Sequence, residues 1–140
     1  MTPFIYSLPS AALIVLIFIL LFSAFYCRFK LVRTRQITIA QLVNKDFSNA
    51  PHHVTLLGYS YDNQFQQPVL FMLLNALILM FGLESYASLI LSWMFVIARY
   101  WHSYEHVINN SILRRTIAFG LSSITHLMIW GLFFNELAQF

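Results

Sequence analysis

The chain has 140 residues, 59% of them hydrophobic and only 9% charged, with a formal net charge of +3 and a mean hydropathy of +0.70. A water-soluble domain carries roughly 25% charged residues, so this composition excludes a soluble globule and leaves an all-α integral membrane protein with room for about four spans of roughly 20 residues. The eight Lys and Arg flank apolar runs and build no basic face, which excludes nucleic acid as a partner, and the single cysteine, Cys27, cannot close an internal disulfide.

Met1 to Ser10 lacks positive charge, Ala11 to Cys27 is almost purely apolar, and Arg28, Lys30, Arg33 and Arg35 follow at once. A secretory signal has the reverse order, with its charges before the apolar core. The segment therefore reads as a first transmembrane helix with its N-terminus outside and its C-terminus in the cytoplasm. Cys27, at the end of that run, reads as a packing residue in a place that also permits acylation. Residues 28–62 form a long mixed connection with a short amphipathic piece, Ile37 to Phe47, and a break at Ser48-Asn49-Ala50-Pro51 where a helix can restart. His52-His53 reads as a solvated loop pair.

The second span is polar at its start, Tyr59 to Gln67, and runs apolar only from Val69 to Leu83, with Pro68 between as an expected kink. Amides at that depth need partners from another helix or from a polar ligand. Gly82-Leu83-Glu84-Ser85 is a tight outside turn without Lys or Arg. A third helix runs to about His106, a connection from Asn109 to Arg115 restores positive charge on the cytoplasmic side, and a fourth apolar run, Ile117 to Phe134, contains His126. The expected architecture is one domain, 1–140, a four-helix bundle with spans near 8–27, 62–83, 85–107 and 116–135 and both termini on the non-cytoplasmic side.

The polar material concentrates in Arg99 to Arg115. Arg99, His102 and His106 fall at i, i+3 and i+7, one face of a helix, and a polar face on an apolar helix must look at protein or water. His102-Ser-Tyr-Glu105-His106 matches the H-x-x-E-H spacing of zinc peptidases, but a third ligand is lacking and so short a pattern arises easily by chance; we expect no metal. The fuller reading is an anion pocket. Arg99 with Arg114 and Arg115 supplies guanidinium forks suited to carboxylates, and the Asn63, Gln64 and Gln66 amides lie at the same level; Arg114 and Arg115 can equally serve as headgroup anchors that set topology.

Two blocks, Asn63-Gln-Phe-Gln66-Gln-Pro-Val-Leu-Phe71 and Arg99-Tyr-Trp-His102-Ser-Tyr-Glu-His106 with Asn110 and Arg114-Arg115 beyond, resemble the MAPEG family, the membrane-associated proteins in eicosanoid and glutathione metabolism, and more narrowly a bacterial branch of it. The resemblance implies a homotrimer in a bacterial inner membrane, with glutathione held between subunits near the cytoplasmic face. It also implies an apolar small-molecule substrate arriving from the membrane lipid. By the same resemblance Arg115, or Arg114 one residue away, stabilises the glutathione thiolate, while Asn63, Gln66, Arg99, His102 and His106 contact the peptide. The chain departs from the family pattern at Gln66, where a glutamate is expected, at helix two, which has Tyr59 and Asp62 and no arginine, and at Phe119, where a tyrosine is common. Two functions follow: a glutathione-dependent transferase or peroxidase acting on lipophilic electrophiles, or a non-catalytic membrane binding or structural protein that keeps the fold without glutathione recognition.

Overall fold

The structure is a computed structural model that describes residues 2–139. The expected domain bounds 1–140 thus include Met1 and Phe140, which lie outside the described residues. Six α-helices follow in order: α1 (Pro3–Arg33), α2 (Ile39–Val43), α3 (His52–Asp62), α4 (Gln67–Phe81), α5 (Tyr86–Tyr104) and α6 (Ile112–Leu137); no strand occurs among the described residues. A 3-10 turn, Asn63–Phe65, joins α3 to α4, and a π-helical turn, Glu105–Asn109, extends α5.

The ends of these helices follow from local chemistry. Pro3 opens α1, where its missing N–H has no partner to lose. Thr38 and Gln41 form a capping box on α2, and Ser85 and Ser88 form one on α5. Gly82, at φ 66°, closes α4 in the left-handed conformation that a side chain resists.

α5 packs along α6 and also against α1, while α1 lies beside α3 and α4. The core runs between them from Tyr6 and Leu13 on α1 through Phe71, Leu74 and Ile78 on α4 and Phe95 on α5 to Ile129 and Phe133 on α6. Phe71 stacks on Phe95 at 4.3 Å, and His126 packs its ring against both. Within α6, Trp130 Nε1 donates to His126 Nε2 at 3.1 Å, so this imidazole is a satisfied core residue. A smaller cluster of Leu31, Ile37 and Val54, with Cys27, Leu42 and Phe47 against it, pins the α1–α3 connection.

The outer faces are oily. Val15, Phe18, Ile19, Phe22 and Phe25 of α1 and Leu121, Ile124, Leu127 and Met128 of α6 are all exposed, more apolar surface than a water-facing protein carries in one band. Three helical stretches, Pro3–Arg33, His52–Phe81 and Ile112–Leu137, are long and apolar enough to cross a membrane. α5, of 19 residues, is not among them, since Arg99, His102 and its serines lower its hydropathy.

Several boundaries differ from those read in the sequence. The helical stretch expected from residue 62 begins at His52, so the His52-His53 pair opens α3, exposed, instead of lying in a loop. The interruption expected at Pro68 falls at Gln66 (φ −98°, ψ −107°), because Pro68 sits in the first turn of α4, where proline is accommodated. The amphipathic piece contracts to Ile39–Val43. α6 starts at Ile112, which takes Arg114 and Arg115 out of the connection and into its first turn.

Candidate functional site

The polar end of the helices is organised by His102. Its Nδ1 lies 3.0 Å from the Arg115 carbonyl oxygen, which can only accept, so Nδ1 carries the proton and donates. In the neutral ring Nε2 is then an acceptor, and the Asn63 side-chain amide donates to it at 2.9 Å. One imidazole thus joins the 3-10 turn after α3, the end of α5 and the first turn of α6, elements 39 and 13 residues away in the chain. Both ring nitrogens are occupied.

Around this joint lies a cavity of about 620 Å³, lined by Tyr59, Asp62, Asn63, Gln66, His102, His106, Arg115, Thr116 and Phe119. Of the residues singled out in the sequence, Asn63, Gln66, His102, His106 and Arg115 meet here. Tyr59, Asp62 and Asn63, at i, i+3 and i+4, share one face of α3 and the turn that continues it, which is why Tyr59 and Asp62 join the cavity. Thr116 was not legible as a lining residue; it enters because α6 begins early enough to present its first turn to the cavity. The His102 and His106 rings meet at 5.8 Å, and Phe119 packs 5.8 Å from His102, closing the apolar side.

Arg99 does not line the cavity but lies behind it, fully buried. Its Nη2 donates to the Asn63 carbonyl oxygen at 3.3 Å, while Nε and Nη1 find no partner. Next to it Gln64 Nε2 donates to the Ser60 carbonyl oxygen at 3.0 Å and to Ser103 Oγ at 3.2 Å. Arg99 therefore holds the backbone that carries Asn63 instead of presenting its fork to the opening. Arg114 points elsewhere: its side chain is 63% exposed and sits 3.8 Å from Glu105 Oε1. That pairing leaves Arg115, not Arg114, as the guanidinium on the cavity.

Glu105 does not join the two histidines. Buried at the π-helical turn, it accepts from Trp101 Nε1 at 3.1 Å and from Asn109 Nδ2 at 3.1 Å. Its oxygens thus bind the end of α5 to the turn that follows. No group of three or more His, Cys, Asp or Glu comes together to hold a metal among the described residues. On the opposite face of α5 a separate apolar groove of about 580 Å³ runs between α1, α3 and α5, lined by Leu16, Leu20, Leu57, Tyr100 and Val107 among others.

The described residues thus form an all-helical protein with three helical stretches able to cross a membrane and with Asn63, Gln66, His102, His106 and Arg115 gathered on one cavity. The chain belongs to the MAPEG family, whose family model matches residues 6–135. That membership is consistent with a glutathione-related or eicosanoid-metabolism role. No curated protein and no solved structure matches the chain.

Proposed function

We propose that the protein is a glutathione-dependent transferase or peroxidase acting on lipophilic electrophiles. It works as a homotrimer of four-span units, with the cavity at subunit interfaces near the cytoplasmic face. The observation that carries the reading is the placement of Arg115 on the cavity beside Asn63, Gln66, His102 and His106, with the Phe119 ring one turn on in α6 and packed on His102. A guanidinium beside a thiol favours the thiolate, which is the nucleophile. In transfer, the sulfur bonds to the electrophilic carbon as the leaving group departs with the bonding electrons, and the thiol proton passes to solvent. In peroxide reduction, two glutathiones become a disulfide while the peroxide becomes alcohol and water.

The trimer is supported by where polar groups stand. Tyr59, Asp62 and Gln66 are exposed on a helical stretch suited to crossing a membrane, and such groups need cover from protein or water. α5 as the fourth span is supported by its packing along α6 and its length of about 28 Å, near the thickness of the hydrocarbon core.

A second reading, a non-catalytic member with the same fold, is favoured by one specific observation. His102 has spent both nitrogens on helix-to-helix bonds and Arg99 is turned to a carbonyl, so much of the polar network serves structure. Thermal stability of the detergent-purified protein with and without millimolar glutathione separates the two. A ligand bound only by the folded state adds about 2.7 kcal/mol at a hundredfold excess over its dissociation constant. We expect an upward shift that Arg115→Ala removes without loss of the oligomer; no shift in the parent protein would leave the non-catalytic reading.

A further inference from the structure

A second polar cavity adjoins the first and is built around Arg28. This is the first charged residue after the apolar run Ala11 to Cys27, so it stands where α1 leaves the hydrocarbon. Its guanidinium carbon lies 5.1 Å from the Phe47 ring centroid, a cation held over an aromatic face. Its Nη2 lies so near α3 that a Cβ at Gly58 would stand 2.8 Å away and push this end of the side chain aside. Its Nε is buried and has no hydrogen-bond partner.

Around the guanidinium is a cavity of about 300 Å³, lined also by Lys45, Thr55, Tyr61 and Asp62. Among the described residues the one ion pair is Arg114 with Glu105, so Arg28, Lys45 and Asp62 share a cavity without neutralising one another within 4.0 Å. Two cations and one carboxylate held apart match a zwitterionic group with an anion at one end and an ammonium at the other. The neighbouring surface is for acyl chain: Phe25 and Phe29 stack on each other at 6.4 Å and are both exposed on α1.

We propose that this cavity binds the headgroup of an aminophospholipid, with the phosphate on Arg28 and Lys45 and the primary ammonium on Asp62. Guanidinium and ammonium donors suit phosphate oxygens, and a carboxylate accepts N–H bonds that a quaternary ammonium cannot offer. The site stands apart from glutathione binding, since Arg28 and Lys45 do not line the larger cavity; Tyr59 and Asp62 border both.

The test is native mass spectrometry of the detergent-purified full chain. It is mixed with dioleoyl phosphatidylethanolamine, phosphatidylcholine or phosphatidylglycerol, or with soluble phosphoethanolamine. Phosphatidylethanolamine should be retained in preference to phosphatidylcholine. Arg28→Gln should weaken retention of all three lipids about tenfold, the scale of one lost charge-assisted contact. Asp62→Asn, which keeps the size of the side chain and should leave the oligomer intact in the same spectra, should abolish the preference for phosphatidylethanolamine while leaving phosphatidylglycerol bound. Equal retention of phosphatidylethanolamine and phosphatidylcholine by the parent protein, or unchanged binding in both variants, overturns the proposal. Binding of soluble phosphoethanolamine without retention of the lipid overturns the membrane source.

Discussion

The two ends of the helices are built by different rules. Where α4 turns into α5 the chain needs four residues: Gly82 takes the left-handed conformation, Ser85 and Ser88 cap each other's helix turn, and the next helix begins. At the opposite end, regular helix gives way to a 3-10 turn at Asn63–Phe65, a π-helical turn at Glu105–Asn109, and Asn110 at φ 50°. Unpartnered buried polar atoms follow the same division. Arg99 Nε and Nη1, Gln64 Oε1, Gln67 Oε1, Ser60 Oγ, Arg28 Nε and His106 Nδ1 lie toward the irregular end, against the Tyr6 hydroxyl and Asn75 Oδ1 on the other side. A closed turn satisfies its own backbone and leaves nothing over; an irregular one re-aims side chains and holds polar capacity for a ligand.

The contrast is sharpened by substitutions at both ends. His102→Ala should have the largest effect, because it removes two hydrogen bonds that join three elements: about 2 kcal/mol of stability lost in a denaturation series, together with any glutathione-induced shift. Glu105→Ala strips the partner from Trp101 and Asn109 and should cost roughly 1–2 kcal/mol, with weakened ligand response because the turn that positions Arg115 loosens. Gly82→Ala at the closed end forces a side chain into φ 66° and should cost about 1 kcal/mol, with the ligand response intact. Loss of that response would break the comparison. Arg114→Ala should have the smallest effect, under about 1 kcal/mol, since the 3.8 Å contact is long, its arginine end is exposed, and buried Glu105 keeps its bonds from Trp101 and Asn109.

How far each feature was legible follows the same line. The membrane class, the all-helical fold and the apolar extent of α1 are composition and run length, which need no partner to be read. The Gly82 to Ser85 turn is legible because its chemistry is local. The break at Gln66 was misplaced at Pro68 because the proline is the visible signal, yet in the first turn of α4 it is harmless. The face of Arg99, His102 and His106 was readable as a face, but not its division of labour. That Arg99 serves the Asn63 carbonyl and that Glu105 turns to Trp101 depends on contacts 36 residues away in one case and on a π-helical turn in the other. Neither leaves a periodic trace. The Arg28 cavity was invisible for the same reason: glycine at position 58 gains its meaning only when α1 is laid against α3.

The guanidinium of Arg99 also bears on how the chain enters its membrane. With α5 as the proposed fourth span, its arginine adds an insertion cost that is about 3 kcal/mol at a helix centre and smaller toward the end where Arg99 stands, and α5 is not among the helices apolar enough to cross by themselves. Its shelter comes from Asn63, ahead of it in the chain, and its longest packing surface from α6, behind it. A ribosome that has released α5 but not α6 therefore exposes a segment that is poorly held by lipid. In the order of biogenesis α5 and α6 should commit together as a helical hairpin, after α1 and α3–α4 are already in place.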